Sequence, residues 1–335
     1  MTKKYFLFVF LVLLVMILIN GIGRRSDTYI LSDIVQDDKL NATALRARLV
    51  ADFEQDKDPA EIYTRIKTVF ADEPSRIAHD AAHLFGELLF TYEGMAGLSV
   101  CDASLAYGCF HSFFAQAIAA QGVESVVALD AECVKQFGSA ATSCMHGIGH
   151  GLGEYFGTSR IEEQLKHCEE LTWQGTLFGC SEGVFMEYHF QLTEEDRVSY
   201  APSPAKKDVY NPCDRLSGKY LPACYFSLPS WWANVFQDDM KIIDTLCNSV
   251  AVQRHKEFCY LGAGYGMSVS ADFNADTLKQ RCDGLTGANG ALLCRAGASY
   301  AFFVNEIDPG NTALLCEDIA DRQLECAARA KLFDL

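Results

Sequence analysis

The sequence is short of positive charge. Of 335 residues, 28 are Lys or Arg and 44 are Asp or Glu, a formal net charge of −16. No acidic residue precedes Asp27, so beyond residue 25 the balance is 28 − 4 = 24 basic against 44 acidic, a net −20. That deficit argues against nucleic acid and against an anionic membrane surface as partners. It suits cationic ligands, or simply a solvated acidic surface.

Other absences narrow the reading further. No cysteine directly follows the N-terminal apolar run, which argues against a bacterial lipoprotein anchor. No small-x-small cleavage site follows it either, since Asn20-Gly21-Ile22-Gly23 is a poor one. The run Gly147-Ile148-Gly149-His150-Gly151-Leu152-Gly153 has no strand before it, so it does not read as a nucleotide loop. Cys144-Met145-His146 lacks the second cysteine of a haem-attachment motif. The fourteen cysteines fall into seven pairs, and paired cysteines are poor candidates for thiol catalysis.

What is present starts with residues 5 to 20, almost wholly apolar, with Lys3 and Lys4 before them and Arg24 and Arg25 after. A bilayer is spanned by roughly 20 apolar residues. The first 25 residues are therefore read as a signal anchor, with a linker and leading helix over 26–58 and a repeat domain over 59–335. The membrane is then a partner through the N-terminal helix, and the rest of the chain is extracytoplasmic, periplasmic or lumenal. An even set of regularly spaced cysteines agrees with an oxidising compartment. Asn41-Ala42-Thr43 is a glycosylation sequon, meaningful only in a eukaryotic source.

The cysteines keep a period. Leading members are Cys101, Cys133, Cys168, Cys213, Cys247, Cys282 and Cys316, and their partners are Cys109, Cys144, Cys180, Cys224, Cys259, Cys294 and Cys326. Such a period marks a repeat architecture. Helical residues such as Met240-Lys241-Ile242-Ile243-Asp244-Thr245-Leu246 precede a leading cysteine; a short turn follows it, and a second helix runs on from its partner, as in Cys109-Phe110-His111-Ser112-Phe113-Phe114. Each unit is thus predicted to be a helical hairpin whose connection a disulfide closes, worth roughly 3 kcal/mol by chain entropy for a loop of about ten residues. Residues 59 to 98 form a cysteine-free unit with Ile77 in the cysteine's place. An insertion within Gln191 to Pro212 lengthens the fourth unit, the one that carries Cys168 and Cys180. A small residue recurs three positions after the second cysteine (Ser112, Gly147, Gly183, Ser227, Gly262, Gly297), which implies backbones in close approach.

The expected fold is all-α, an α-solenoid of about eight helical hairpins, seven with a disulfide, after an N-terminal transmembrane helix. By period, hairpin and cysteines, residues 59 to 335 resemble the tetratricopeptide-type solenoids of the Sel-like class, particularly secreted cysteine-rich members. The cysteine spacing here is longer and more variable, and the Ala/Gly signature only partly present. The resemblance implies an α-solenoid and a protein-binding role; it carries over no site residues.

Aligning the units on the second cysteine brings the histidines into register. His79, His111 and His146 share the second place after it, and His83 and His150 share the sixth. Glu182 fills the second place in the next unit, and later units carry Phe226, Leu261, Ala296 and Ala328 there. Those places therefore point inward. Histidines four apart lie on one helical face and can chelate one ion. The donor types suit zinc, iron or copper, one or two ions. Units two apart stand up to roughly 20 Å apart if packed helices are about 10 Å apart. The expected division is therefore His79, His83 and His111 around one ion and His146, His150 and Glu182 around another, with Asp80, Glu154 and Glu187 bridging or behind them. The remaining histidines, His167, His189 and His255, lie off these columns and read as ordinary surface or structural residues. Trp231 and Trp232 pack between units or line a groove. The functional expectation is an extracytoplasmic, membrane-anchored metalloprotein, a metal-dependent oxidoreductase or hydrolase. The alternative is a non-catalytic scaffold that binds a peptide or protein on its concave face.

Overall fold

The computed structural model describes residues 34–36, 39–138, 141–173, 177–199, 207–305, 314–317 and 326. The expected anchor over residues 1–25 lies outside them. Among the described residues no single helix is long and apolar enough to cross a membrane. The fold is all-helical and repeat-like, with thirteen α-helices among the described residues. Its β-structure there is one antiparallel ladder of two residues a side, pairing Val35 with Leu40.

The helices are α1 (Ala42–Glu54), α2 (Pro59–Val69), α3 (Ser75–Glu93), α4 (Gly108–Gln121), α5 (Val126–Phe137), α6 (Ala141–Phe156), α7 (Ile161–Cys168), α8 (Cys180–Ser199), α9 (Leu221–Val235), α10 (Met240–Ser249), α11 (Gln253–Ser270), α12 (Ala275–Asp283) and α13 (Gly290–Val304). Side chains cap three of the hairpins' first arms, where Asp58 accepts from Ala60 N at α2, Asp239 from Lys241 N at α10 and Asn274 from Thr277 N at α12, whereas α5 and α7 have no side-chain cap. The second arms α4, α9, α11 and α13 have no side-chain cap. A disulfide near their first turn ties them instead.

All seven expected disulfides are present, with Cα atoms 5.5 to 5.9 Å apart. Seven disulfides fit an oxidising, extracytoplasmic environment. Two units differ from the expected pair of helices: their first arms are 3₁₀ segments, Gly94–Val100 and Lys207–Tyr210. In the former, Gly94 takes a left-handed φ of 57° and ends α3 immediately before the segment. Buried carboxylates tie neighbouring units. Asp130 accepts from Thr172 N and Oγ1, and Asp244 accepts from Thr286 Oγ1 and Gly287 N; each threonine lies 42 residues after its aspartate.

The second arms build the core. They pack in chain order, α3 on α4, α4 on α6, α6 on α8, α8 on α9, α9 on α11 and α11 on α13. Small residues let them approach to backbone contact, as the recurrence implied. A Cβ on Gly183 would stand 2.1 Å from the carbonyl oxygen of His146, and one on Gly297 1.8 Å from that of Leu261. The glycine-rich run 147–153 is helical. Gly147 and Gly151 press on Phe110 and Phe114 of the preceding arm, and Gly149 and Gly153 on Cys180 and Glu187 of the following one.

The array curves back on itself. Helix α11 touches α3, Asp272 accepts from Ser75 N at 2.9 Å, and the Tyr107 hydroxyl donates to the carbonyl of Val304. Phe178, just before α8, packs edge-on or tilted against Phe226, Tyr265 and Tyr300 from three later arms. A cavity of about 340 Å³ remains at the centre, lined by residues from α3, α4, α6, α8, α9, α11 and α13.

Close backbone contact makes a testable demand. Gly297→Ala adds one methyl where there is no room and lies far in sequence from the histidines. Overpacking of this kind costs about 1–3 kcal/mol, so the urea midpoint of the disulfide-intact protein should fall accordingly; an unchanged midpoint would show that the arms can part.

Candidate metal centre

Three consecutive second arms bring five imidazoles together. Helix α3 supplies His79 and His83, α4 supplies His111, and α6 supplies His146 and His150. The rings of His111 and His150 stack with centroids 3.9 Å apart, and His111 lies 5.1 Å from His83, 5.2 Å from His79 and 5.1 Å from His146. The glycine contacts make this possible, because arms that touch through their backbones leave a gap that rings from both sides can cross.

Among the described residues, two trios could each hold a metal ion: His79 with His83 and His111, and His111 with His146 and His150. Within each trio the donor atoms lie within 4.8 Å of one another. The expected division therefore changes in one respect. His111 belongs to both trios and stands in the second where Glu182 was expected. Glu182 instead lies behind, with Oε2 2.9 Å from Nδ1 of His146. Glu182 is in neither trio, and both trios are all nitrogen.

What lies behind the rings decides how they point. His79 Nδ1 donates to the carbonyl of Leu105 at 2.9 Å, and His150 Nδ1 to Glu187 Oε2 at 3.0 Å. With the proton on Nδ1, the Nε2 lone pair turns inward. Glu182 Oε2 lies 2.9 Å from His146 Nδ1, but that nitrogen has no hydrogen-bond partner. His83 Nδ1 meets Ser112 Oγ at 3.0 Å. His146 Nε2 and His150 Nε2 face each other at 3.1 Å, and His79 Nε2 and His83 Nε2 at 2.9 Å; each contact is a hydrogen bond when one of the pair carries its proton there and opposes two lone pairs when neither does. The buried Nε2 of His111 meets no hydrogen-bond partner.

The carbonyl that orients His79 has an unusual setting. Leu105, Ala106 and Tyr107 are three successive non-glycine residues in the left-handed region, with φ of 56°, 53° and 63°. Such backbone costs of the order of 1–3 kcal/mol per residue and persists where surroundings impose it. Here it turns the chain into α4 and lays Leu105 O against His79.

Burial drives the His83, His111 and His150 side chains well below the ordinary imidazole range, with the neighbouring histidines adding to the fall; His79 is lowered by burial too, against the pull of its bond to Leu105. Neutral rings offer their lone pairs without first losing a proton.

Of the other carboxylates considered, Asp80 is half-exposed beside Arg76 at 3.7 Å, and Glu154 is exposed. The three remaining histidines divide. His167 stacks on Phe156 and His255 on Tyr225. His189, expected to be incidental, is buried, stacks on Trp231 and lines the central cavity. A signal for it existed: Glu182, Met186 and His189 follow the i, i+4, i+7 stripe of one helical face. Trp232 is packed, donating to Val209 O, whereas Trp231 lines the cavity. His79, His111 and His146 form part of the same cavity wall, so the cluster opens onto that cavity.

No protein-family model matches this chain, and no curated protein or solved structure matches it. The likeness to Sel-like repeats thus rests on period, hairpins and disulfides alone.

Burial holds His189 at about 4, below the ordinary 6.5. A depressed folded value means stability is fully present above about pH 6.5 and is lost as pH falls toward 4, at about 1.4 kcal/mol per pH unit for one group. His189→Phe keeps a ring on Trp231 and removes the titration. Its urea midpoint should fall less steeply than that of the parent between pH 6.5 and 4; an identical slope would show that His189 titrates normally.

Proposed function

We propose that this chain is an exported metalloprotein, a tightly wound α-solenoid that holds transition-metal ions on its five clustered histidines and presents them to a small-molecule cavity. The observation that carries this reading is the convergence of imidazole lone pairs. Two buried Nε2 atoms at 3.1 Å repel unless a proton, a water or a cation lies between them. Nitrogen ligands of a tetrahedral zinc stand about 3.3 Å apart, given a Zn–N bond of about 2.0–2.1 Å, so small outward shifts would admit an ion. An all-imidazole donor set suits zinc or copper. Glu182 and Glu187 supply negative charge behind the rings.

Three nitrogen ligands leave a coordination position open, and an ion so held supplies Lewis acidity or a water acidic enough to ionise near neutral pH. The protein's own share is to orient the rings, exclude bulk water and shape the cavity. At about 340 Å³ that cavity matches the lower end of small-molecule sites. The cavity's small volume weighs against a peptide scaffold. Hydrolytic and oxidative chemistry are both open to such a centre. Residues 1–25 are proposed to anchor it to the membrane, with the repeat body outside the cytoplasm.

Elemental analysis of the full-length chain tests the reading. Near-stoichiometric zinc or copper is expected, and His146→Ala/His150→Ala should lower it while disulfides and helicity persist. Bound ion should also raise the melting temperature, since ligand at a hundred times its dissociation constant stabilises by about 2.7 kcal/mol. Metal-free protein whose melting is unmoved by zinc, copper or chelator would show that protons or waters, not ions, separate the lone pairs.

A further inference from the structure

The metal-site reading leaves open how His111 can belong to two trios, and the inference that follows rests on that reading. His111 lies on the middle of the three arms. Its Nδ1 stands 3.1 Å from His83 Nε2, while its Nε2, buried and without a hydrogen-bond partner, belongs to the other side of the same ring.

Counting donors and acceptors shows that one ion cannot satisfy the cluster. Suppose only the trio of His79, His83 and His111 is filled. His111 then carries its proton on Nε2, a buried donor without an acceptor, and His146 can bond to His150 at 3.1 Å only with its proton on Nε2, which leaves its own buried Nδ1 without a donor beside Glu182. Suppose instead that only the trio of His111, His146 and His150 is filled. His111 Nδ1 can then donate to His83, but the Nε2 of His79, its proton already committed to Leu105 through Nδ1, faces a nitrogen at 2.9 Å with nothing to donate. With both trios filled, all ten ring nitrogens have a role. Five bear no metal contact only if His111 is excluded from one trio; with it shared, six nitrogens bind ions and four donate or lean outward to Leu105, Ser112, Glu182 and Glu187.

We propose that His111 is a bridging imidazolate between two metal ions, its Nδ1 binding one ion with His79 and His83 and its Nε2 binding the other with His146 and His150. Forming the bridge breaks one N–H bond of neutral His111, and the proton leaves to solvent. Two divalent ions, one imidazolate and the carboxylates of Glu182 and Glu187 give +4 − 1 − 2 = +1, so the buried centre is close to neutral. The two ions stand on opposite edges of one aromatic ring, which lies on the wall of the central cavity.

Copper(II) alone is the probe. The metal-stripped full-length chain is loaded with copper(II), unbound metal removed, the copper counted by elemental analysis, and the spins counted by electron paramagnetic resonance at low temperature. Two coppers per chain with a spin count well below two are expected, because an imidazolate bridge couples the unpaired electrons antiferromagnetically. His79→Ala/His83→Ala and His146→Ala/His150→Ala should each retain one copper with its full single-spin signal. Two coppers showing two independent spins, or one copper in the parent protein, would overturn the bridge and leave the metal site standing. No bound copper would overturn both. The parent measurement needs no variant to fold, so it decides the matter even if the double substitutions do not.

Discussion

Backbone-to-backbone contact between neighbouring second arms is the constraint on which the rest depends. Where Gly183 meets the carbonyl of His146, or Gly149 that of Cys180, there is no space for even one methyl group. Helices held this closely place residues of the same register side by side, within reach of short side chains. Imidazoles extend only a few ångströms from the backbone, and arms at ordinary spacing would keep those of α3, α4 and α6 apart. The disulfides support this arrangement from outside, fixing where each arm begins, while the glycines set how near it comes to the next. Leucine or phenylalanine at the same places would fill the interface and separate the rings.

The cluster concentrates electrostatic cost in one half of the array. Five clustered imidazoles, two carboxylates behind them and two buried ring nitrogens without a hydrogen-bond partner are what a packed helical core normally avoids. The later units show the inexpensive solution at the same register: Phe226, Tyr265 and Tyr300 meet as aromatic edges around Phe178. Two kinds of interior thus share one scaffold, a polar one built of imidazoles and an aromatic one, and both reach the wall of the cavity.

Much of this was legible in the sequence because repeats supply their own alignment. The cysteine period gave the hairpins and the disulfide pairing, and the register placed His79, His111 and His146 in one column. The double role of His111 was not legible. Sequence spacing orders the arms but says nothing of how near they come, so an assumed spacing of about 10 Å assigned Glu182 to a place that His111 occupies. The glycine run 147–153 held the missing information, since alternate glycines on a helix bare both of its flanks. Leu105 was equally hidden, because it acts through its carbonyl, and backbone direction in a left-handed turn is a property of conformation, not of residue type. His189 was missed for a smaller reason: the inward stripe of α8 continues one turn past Met186.

The hydrogen bonds from Tyr107 to Val304 and from Ser75 to Asp272 tie early units to much later ones. In open arrays each repeat touches only its neighbours, so units can be added or removed and the chain can unfold piecemeal from an end. Here contacts also run between units about two hundred residues apart, and a unit gained or lost between them would move those contacts out of reach. Within that constraint the inner arms still differ in chemistry, as the passage from histidine to tyrosine along one column illustrates.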